Sequence, residues 1–141
     1  MIKREAHSIW RGTGKEGKGE ITTQSGVLKS TQYGFNTRFE DGPGTNPEEL
    51  IGAAHSGCYA MQLAFFLNAA GFTAKELKVS ATVGLEKEGE GFTITTVALK
   101  LDATIPEITQ AKFTELAENA KKNCPVSKVL NAKITLEAKL H

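Results

Sequence analysis

The chain has 141 residues, a formal net charge of +1 and two cysteines. This length predicts a single domain over residues 1–141, with a core large enough to fold without disulfides. Its 17 basic and 16 acidic residues are spread along the chain, which excludes the basic stripe that binding to a phosphate backbone requires.

The start of the chain becomes polar at Lys3, before an apolar segment typical of a signal peptide can form. No apolar run approaches the ~20 residues that a membrane span needs. We therefore expect a cytoplasmic protein. In a reducing compartment two cysteines are more often catalytic, redox-active or metal-binding than partners in a structural disulfide.

The first forty residues predict antiparallel strands. Two strands, over residues 6–12 and 20–26, flank a hairpin rich in glycine and lysine. Residues 33–40 alternate aromatic and polar side chains, which predicts a third strand. Residues 41–44, Asp-Gly-Pro-Gly, end that strand.

A long helix is predicted over residues 46–70. Thr45 or Asn46 can cap it, Pro47 fits the first helical position, and Gly71 ends it. About 25 residues make a rod of roughly 37 Å, whose middle is almost free of charge. Such a helix needs burial on most sides. A single small sheet cannot supply that burial, which favours a dimer with two such helices at its centre.

The remaining part of the chain, residues 73–141, predicts two strands, two helical segments and a last strand. The first two strands form a hairpin, and the last alternates apolar and polar residues. These elements cover residues 76–87, 91–104, 106–121, a short turn from Pro125, and 133–140. The whole order, β-β-β-α-β-β-α-α-β, is an α+β plan.

Cys58 lies in the interior of the long helix, where an apolar surrounding raises the pKa of a thiol unless a cation opposes it. Arg38 is the best candidate because it is the only arginine beyond the first eleven residues. Its guanidinium needs a carboxylate to hold it, and Glu48 and Glu49 are near in sequence. At 100° per residue, Glu48 lies ~80° from Cys58 around the axis and Glu49 ~180°, which favours Glu48.

The same helical geometry places Glu48 ~15 Å from Cys58 along the axis. One arginine cannot comfortably reach both side chains within a single chain. We therefore infer a site assembled across a dimer from two antiparallel helices.

Cys124 precedes Pro125, which can begin a helix but cannot continue one, so Cys124 is predicted at an N-cap. Unpaired backbone N–H groups at that position favour a thiolate. Sequence alone does not show that Cys58 and Cys124 approach each other. Two such thiols are nevertheless the arrangement that a thiol peroxidase needs.

Three segments together resemble the OsmC/Ohr family: YGFNTRFE at 33–40, GTNPEELIGAAHSGC at 44–58, and CPVS at 124–127. The resemblance implies an OsmC-like intertwined homodimer, with two long central helices wrapped by antiparallel β-sheets. It implies thiol-dependent reduction of organic hydroperoxides, and of hydrogen peroxide more weakly, in defence against oxidative and osmotic stress.

By the same resemblance, Cys58 is the peroxidatic cysteine and Cys124 the resolving cysteine, and the two form a disulfide. Arg38 is implied as the activating arginine and Glu48 as its glutamate. No metal or bound cofactor is implied. The reductant is an external dithiol, for which a dihydrolipoyl group on a lipoylated protein is one candidate.

Two other interpretations compete with the peroxidase. The first is a metal-binding or thiol-sensing module, with His55 and Cys58 on one helical face and Cys124 and His7 completing a zinc set. That spacing matches no closed zinc motif and leaves the arginine unexplained. The second is a non-enzymatic dimeric binding protein with an apolar pocket lined by Phe35, Phe39, Met61 and Phe65.

Overall fold

A computed structural model describes every residue, Met1–His141. The fold is α+β, as predicted, and it divides into two compact units, Met1–Leu50 and Ile51–His141. The boundary falls inside the long helix rather than in a linker. The assignment of the whole chain to one domain stays a prediction.

The first unit contains a three-stranded antiparallel sheet, whose first two strands overlap those predicted over residues 6–12 and 20–26. Its strands are β1 (Ala6–Arg11), β2 (Lys18–Thr23) and β3 (Thr31–Tyr33), in the order β1-β2-β3. Gly12, in the loop between the first two strands, has φ +99°, a conformation that favours glycine.

The predicted strand over residues 33–40 is wrong, because Phe35–Phe39 form a short helix, α1. Thr37 explains why: its hydroxyl accepts a hydrogen bond from the Gly34 amide at 2.8 Å and donates one to the Gly34 carbonyl at 3.0 Å. The Phe35 and Phe39 rings pack in a tilted arrangement, with their centroids 4.9 Å apart. Two aromatic residues four positions apart lie on the same side of a helix and also of a strand. The alternation of side chains alone therefore could not distinguish the two structures.

The long helix, α2, covers Pro47–Ala69 and confirms the prediction over residues 46–70. Asn46 caps it, with its side-chain oxygen accepting a hydrogen bond from the Glu49 amide at 2.8 Å. Gly71, at φ +88°, ends the helix, and the Phe72 amide donates to the Leu67 carbonyl at 2.9 Å.

The apolar character of α2 exceeds what we predicted. An 18-residue stretch of this 23-residue helix has a mean hydropathy of 1.3, so α2 has the length and composition of a membrane-crossing helix, as core helices of soluble proteins also can. The statement that no apolar run approaches that length is therefore wrong. Within one chain Tyr59, Leu63 and Leu67 are fully buried, whereas Met61 and Phe65 are each 64% exposed.

The second unit contains a three-stranded sheet made of β4 (Glu76–Glu88), β5 (Gly91–Thr104) and β6 (Lys133–Leu140), in the order β4-β5-β6. The hairpin of β4 and β5 is antiparallel, as predicted. However, β6 pairs with β5 in parallel, so the prediction of purely antiparallel sheets is wrong here. The helical connection between β5 and β6 carries the chain back to the end of the sheet where β5 began.

That connection contains α3 (Gln110–Asn123) and α4 (Pro125–Val129). The predicted start of α3 at residue 106 is four residues too early. Glu107 has φ +66°, which interrupts a helix, and the Thr109 hydroxyl caps α3 by accepting from the Lys112 amide at 3.2 Å. The core of this unit contains buried residues of α2, β5 and α3, which include Leu63, Leu67, Val97, Leu99, Leu101, Phe113 and Ala120.

Candidate active site

The two cysteines meet in the second unit. Cys58 lies on α2, and the Cys124 thiol donates to its sulfur across 2.8 Å, although the two residues are 66 positions apart. Both are free thiols. Cys124 ends α3, with its amide donating to the Ala120 carbonyl, and begins α4, with its carbonyl accepting from the Lys128 amide. A disulfide bond is about 2.05 Å long, so a sulfur displacement below about 1 Å would join the two.

The surroundings of Cys58 work against its thiolate form. Burial raises the pKa of the Cys58 thiol, and the hydrogen bond with the buried Cys124 raises it further. The backbone N–H of Val126, in α4, opposes this and lowers the Cys58 pKa. The net effect is that the pKa of the Cys58 thiol is raised. A thiolate nucleophile at this position therefore needs a nearby cation that the two cysteines do not provide.

The first unit holds the predicted cation. Arg38, in the last turn of α1, binds Glu48, in the first turn of α2, with its Nε 3.0 Å and 3.2 Å from the two carboxylate oxygens. Its Nη2 donates to Oε1 at 2.7 Å. The Glu48 side chain is 11% exposed and that of Arg38 is 38% exposed. The pair forms within one chain, and its geometry fixes the plane of the guanidinium.

The structure agrees with the choice of Glu48 over Glu49 as the partner of Arg38. Glu49 is exposed, and its carboxylate accepts a hydrogen bond from the Thr45 hydroxyl at 2.7 Å. In the first turn of α2 it complements the positive end of the helix dipole.

A cavity of about 110 Å³ in the first unit opens beside Arg38. The Arg38 guanidinium carbon lies 5.5 Å from the centre of the Phe39 ring, and the Trp10 and Tyr33 rings are also 5.5 Å apart. The cavity therefore combines one cation, the Arg38 guanidinium, with several aromatic side chains. The cavity is lined by Trp10, Gly14, Tyr33, Gly34, Phe35, Arg38, Phe39 and Pro47.

A polar contact beside the cysteines was not anticipated from the sequence. His55 Nε2 and Ser127 Oγ are 2.7 Å apart, joining α2 to α4. His55 is fully buried, burial lowers its pKa, and its Nδ1 atom has no hydrogen-bond partner. The sequence offered one signal: His55 is one helical turn before Cys58, and Ser127 is one turn after Cys124.

Within a single chain, the residues named for the zinc set form no metal site, and those named for the apolar pocket divide between a cavity and the exposed side of a helix. No group of three or more His, Cys, Asp or Glu side chains is placed to hold a metal ion. His7 is exposed on β1, 3.9 Å from the Glu5 carboxylate. Phe35 and Phe39 line the cavity at Arg38, and Met61 and Phe65 are exposed on α2.

Comparison with known sequences decides the family. The sequence model described as OsmC-like protein matches residues 40–139. The chain belongs to the OsmC family. This confirms the resemblance found on the three sequence segments.

Relatives in the family cover nearly the whole chain. Peroxiredoxin OsmC of Escherichia coli (strain K12) is 50% identical over 139 residues, which are 99% of this chain and 97% of that protein. The crystal structure of the organic hydroperoxide resistance protein OhrB of Bacillus subtilis is 26% identical, with a TM-score of 0.70 over 96% of this chain and 98% of that one.

The fold itself extends to more distant members. An OsmC-like protein of unknown function from Vibrio cholerae is 16% identical and has a TM-score of 0.80, covering 99% of this chain and 100% of its own. At that identity the likeness shows the shared fold alone.

Proposed function

We propose that this OsmC family member is a cysteine-based peroxidase that reduces organic hydroperoxides to alcohols, and hydrogen peroxide more weakly. The observation that carries the proposal is the pair of free thiols 2.8 Å apart, one of them partly accessible and the other buried behind it. The 50% identity to a protein named peroxiredoxin supports the same chemistry.

The first step uses Cys58 as the nucleophile. Its thiolate attacks the terminal oxygen of the hydroperoxide, the O–O bond breaks, and the alkoxide leaves as alcohol after taking a proton. The Cys58 sulfur keeps the transferred hydroxyl as a sulfenic acid. Cys124 then forms a disulfide with Cys58 and releases water, and an external dithiol restores both thiols by exchange. The residues of this chain need no bound metal or cofactor for these steps.

Arg38 supplies the charge that the cysteine pair lacks. A guanidinium near the sulfur favours the thiolate and can polarise the peroxide oxygens, while the Glu48 carboxylate fixes its orientation by accepting charge-assisted hydrogen bonds from Nε and Nη2. The aromatic cavity beside Arg38 fits the apolar part of an organic hydroperoxide better than it fits hydrogen peroxide.

The working unit in this proposal is a homodimer with two central α2 helices. Exposed Met61 and Phe65, with Gly57 and Ala53 on the same side of α2, form an apolar face that a single chain leaves uncovered. Ten helical positions separate Glu48 from Cys58, so we assign the Arg38–Glu48 pair to the Cys58 of the partner subunit. The protein acts in the cytoplasm, in oxidative and osmotic stress defence.

Steady-state peroxidase assays test the proposal. Cumene hydroperoxide and hydrogen peroxide are compared as substrates, with dihydrolipoamide and thioredoxin as reductants. We expect the organic substrate to turn over faster, with two thiols per chain lost on oxidation without reductant. Oxidation that consumes no thiols would overturn the proposed function.

A further inference from the structure

We propose that His55 and Ser127 are positioning residues that hold Cys124 against Cys58 while the disulfide forms. The inference rests on the proposed roles of the two cysteines. Its starting point is the 2.7 Å hydrogen bond between His55 Nε2 and Ser127 Oγ, which joins the helix that carries Cys58 to the one that begins at Cys124.

The spacing of the four residues places the two contacts side by side. His55 precedes Cys58 by three residues on α2, and Ser127, on α4, follows Cys124, the N-cap of that helix, by three. Residues three apart on a helix share one face. The hydrogen bond and the thiol pair are therefore neighbouring contacts between the same two helices, and a shift of α4 that separates one pair also separates the other.

The hydrogen bond differs from the other polar contacts here because it includes no sulfur atom. The Cys124 thiol and the Val126 amide both contact the Cys58 sulfur. Oxidation of Cys58 adds an oxygen to that sulfur and disturbs both contacts. The bond between His55 and Ser127 is unaffected by the change, so it can keep α4 in place when the resolving reaction must occur.

The burial of His55 indicates a role beyond packing. The residue is fully buried, yet its Nδ1 atom has no partner. A buried polar atom without a hydrogen bond costs stability, which an apolar side chain of similar size would avoid. The one side-chain hydrogen bond of His55 goes to the short helix beside the resolving cysteine.

Two reactions compete for the sulfenic acid. In the resolving reaction the Cys124 sulfur attacks the Cys58 sulfur, the S–O bond breaks, the S–S bond forms, and the hydroxyl leaves as water with the Cys124 proton. In the other reaction, a second hydroperoxide oxidises the sulfenic acid to sulfinic acid and leaves as alcohol. Any loss of contact between Cys124 and Cys58 slows the first reaction and increases the share of the second.

The test compares Ser127→Ala with Ser127→Thr, which keeps the hydroxyl. Ser127 is only partly buried, so removal of its hydroxyl leaves no large cavity. Rapid-quench mass spectrometry of reduced protein mixed with cumene hydroperoxide follows sulfenic acid, disulfide and sulfinic acid separately. For Ser127→Ala we expect sulfenic acid to form at the wild-type rate and the disulfide to form roughly 10-fold more slowly, as for the loss of one hydrogen bond. Sulfinic acid should rise with excess peroxide, and Ser127→Thr should restore the disulfide rate.

His55→Leu provides the second arm. It should slow disulfide formation as Ser127→Ala does, and the double variant should be no slower than either single variant, because both remove the same bond. Wild-type kinetics in Ser127→Ala would overturn the inference. An equal slowing of sulfenic acid formation and of disulfide formation would also overturn it, because that result indicates general damage to the protein rather than loss of positioning. If wild-type protein itself forms no disulfide, the proposed function fails as well; if it does and only the variants show no effect, the inference alone fails.

Discussion

The thiol pair and the Arg38–Glu48 pair are built in opposite ways. Cys124 is fully buried within the core of the second unit, and apolar packing places both sulfur atoms. Arg38 is partly exposed beside an aromatic cavity, and directional hydrogen bonds to one carboxylate place its charge. The first pair contains Cys58, the proposed nucleophile, whose pKa is raised by burial. The second has the charge that would lower it, which makes the two pairs chemically complementary.

The largest expected effect is that of Cys58→Ser. A serine hydroxyl with no neighbouring base cannot replace the thiolate, so peroxide reduction should fall to the uncatalysed background. The assay is consumption of cumene hydroperoxide with a dithiol reductant. Substantial turnover by this variant would show that Cys58 is not the nucleophile. The thiol pair would then have no catalytic role to set beside that of the Arg38–Glu48 pair.

Cys124→Ser should stop the cycle after one oxidation. The Cys58 sulfenic acid would persist, and further peroxide would convert it to sulfinic acid. Mass spectrometry after one equivalent of peroxide measures the product, with wild-type disulfide as the reference. An unmodified Cys58 would contradict the division of labour within the thiol pair.

Arg38→Met removes the cation but keeps much of the side-chain length. We expect a loss of roughly 100-fold or more at neutral pH, as for removal of one group that stabilises developing charge. Because the variant raises the Cys58 pKa further, alkaline pH should restore part of the activity by restoring thiolate. Thiol titration against pH checks this. An unchanged titration curve in Arg38→Met would show that the Arg38–Glu48 pair does not lower the Cys58 pKa.

Mixed dimers test whether the pairs meet across subunits. Cys58→Ser and Arg38→Met proteins, unfolded and refolded together, should regain about one quarter of wild-type sites, since half of randomly formed dimers are mixed and one of their two sites is intact. Glu48→Gln mixed with Arg38→Met should regain nothing, because that ion pair forms within one chain. Formation of inactive mixed dimers in the first mixture would place Cys58 and Arg38 of each site in the same chain.

The smallest expected effect concerns His55 and pH. Burial lowers the His55 pKa, so the unfolded chain binds its proton more readily than the folded one. Above about pH 6.5 His55 is neutral in the folded and the unfolded chain. As the pH falls from there through the folded pKa, the unfolded chain takes up the proton first, so the free energy of unfolding decreases by at most about 1.4 kcal/mol per pH unit. Urea unfolding at pH 7.5 and 5.5 should show a smaller difference for His55→Gln than for the wild type. Equal differences would contradict a buried neutral histidine.

Local signals determined several elements directly. The proline, the capping asparagine and the final glycine bounded α2 to within one residue at each end. Helical periodicity selected Glu48 over Glu49, because the angle around an axis depends only on position along the helix. Pro125 placed Cys124 at the start of α4, since proline ends one helix and begins the next.

The tertiary structure decided what local patterns leave open. Phe35 and Phe39 satisfy both the strand and the helix period, and the Thr37 hydrogen bonds to Gly34 favour the helix. The direction of β6 depends on the path of the connecting helices, and the pairing of Cys58 with Cys124 depends on how residues far apart in sequence pack. The hydrogen bond of His55 to Ser127 arises from that same packing, because it joins residues 72 positions apart that no local period relates.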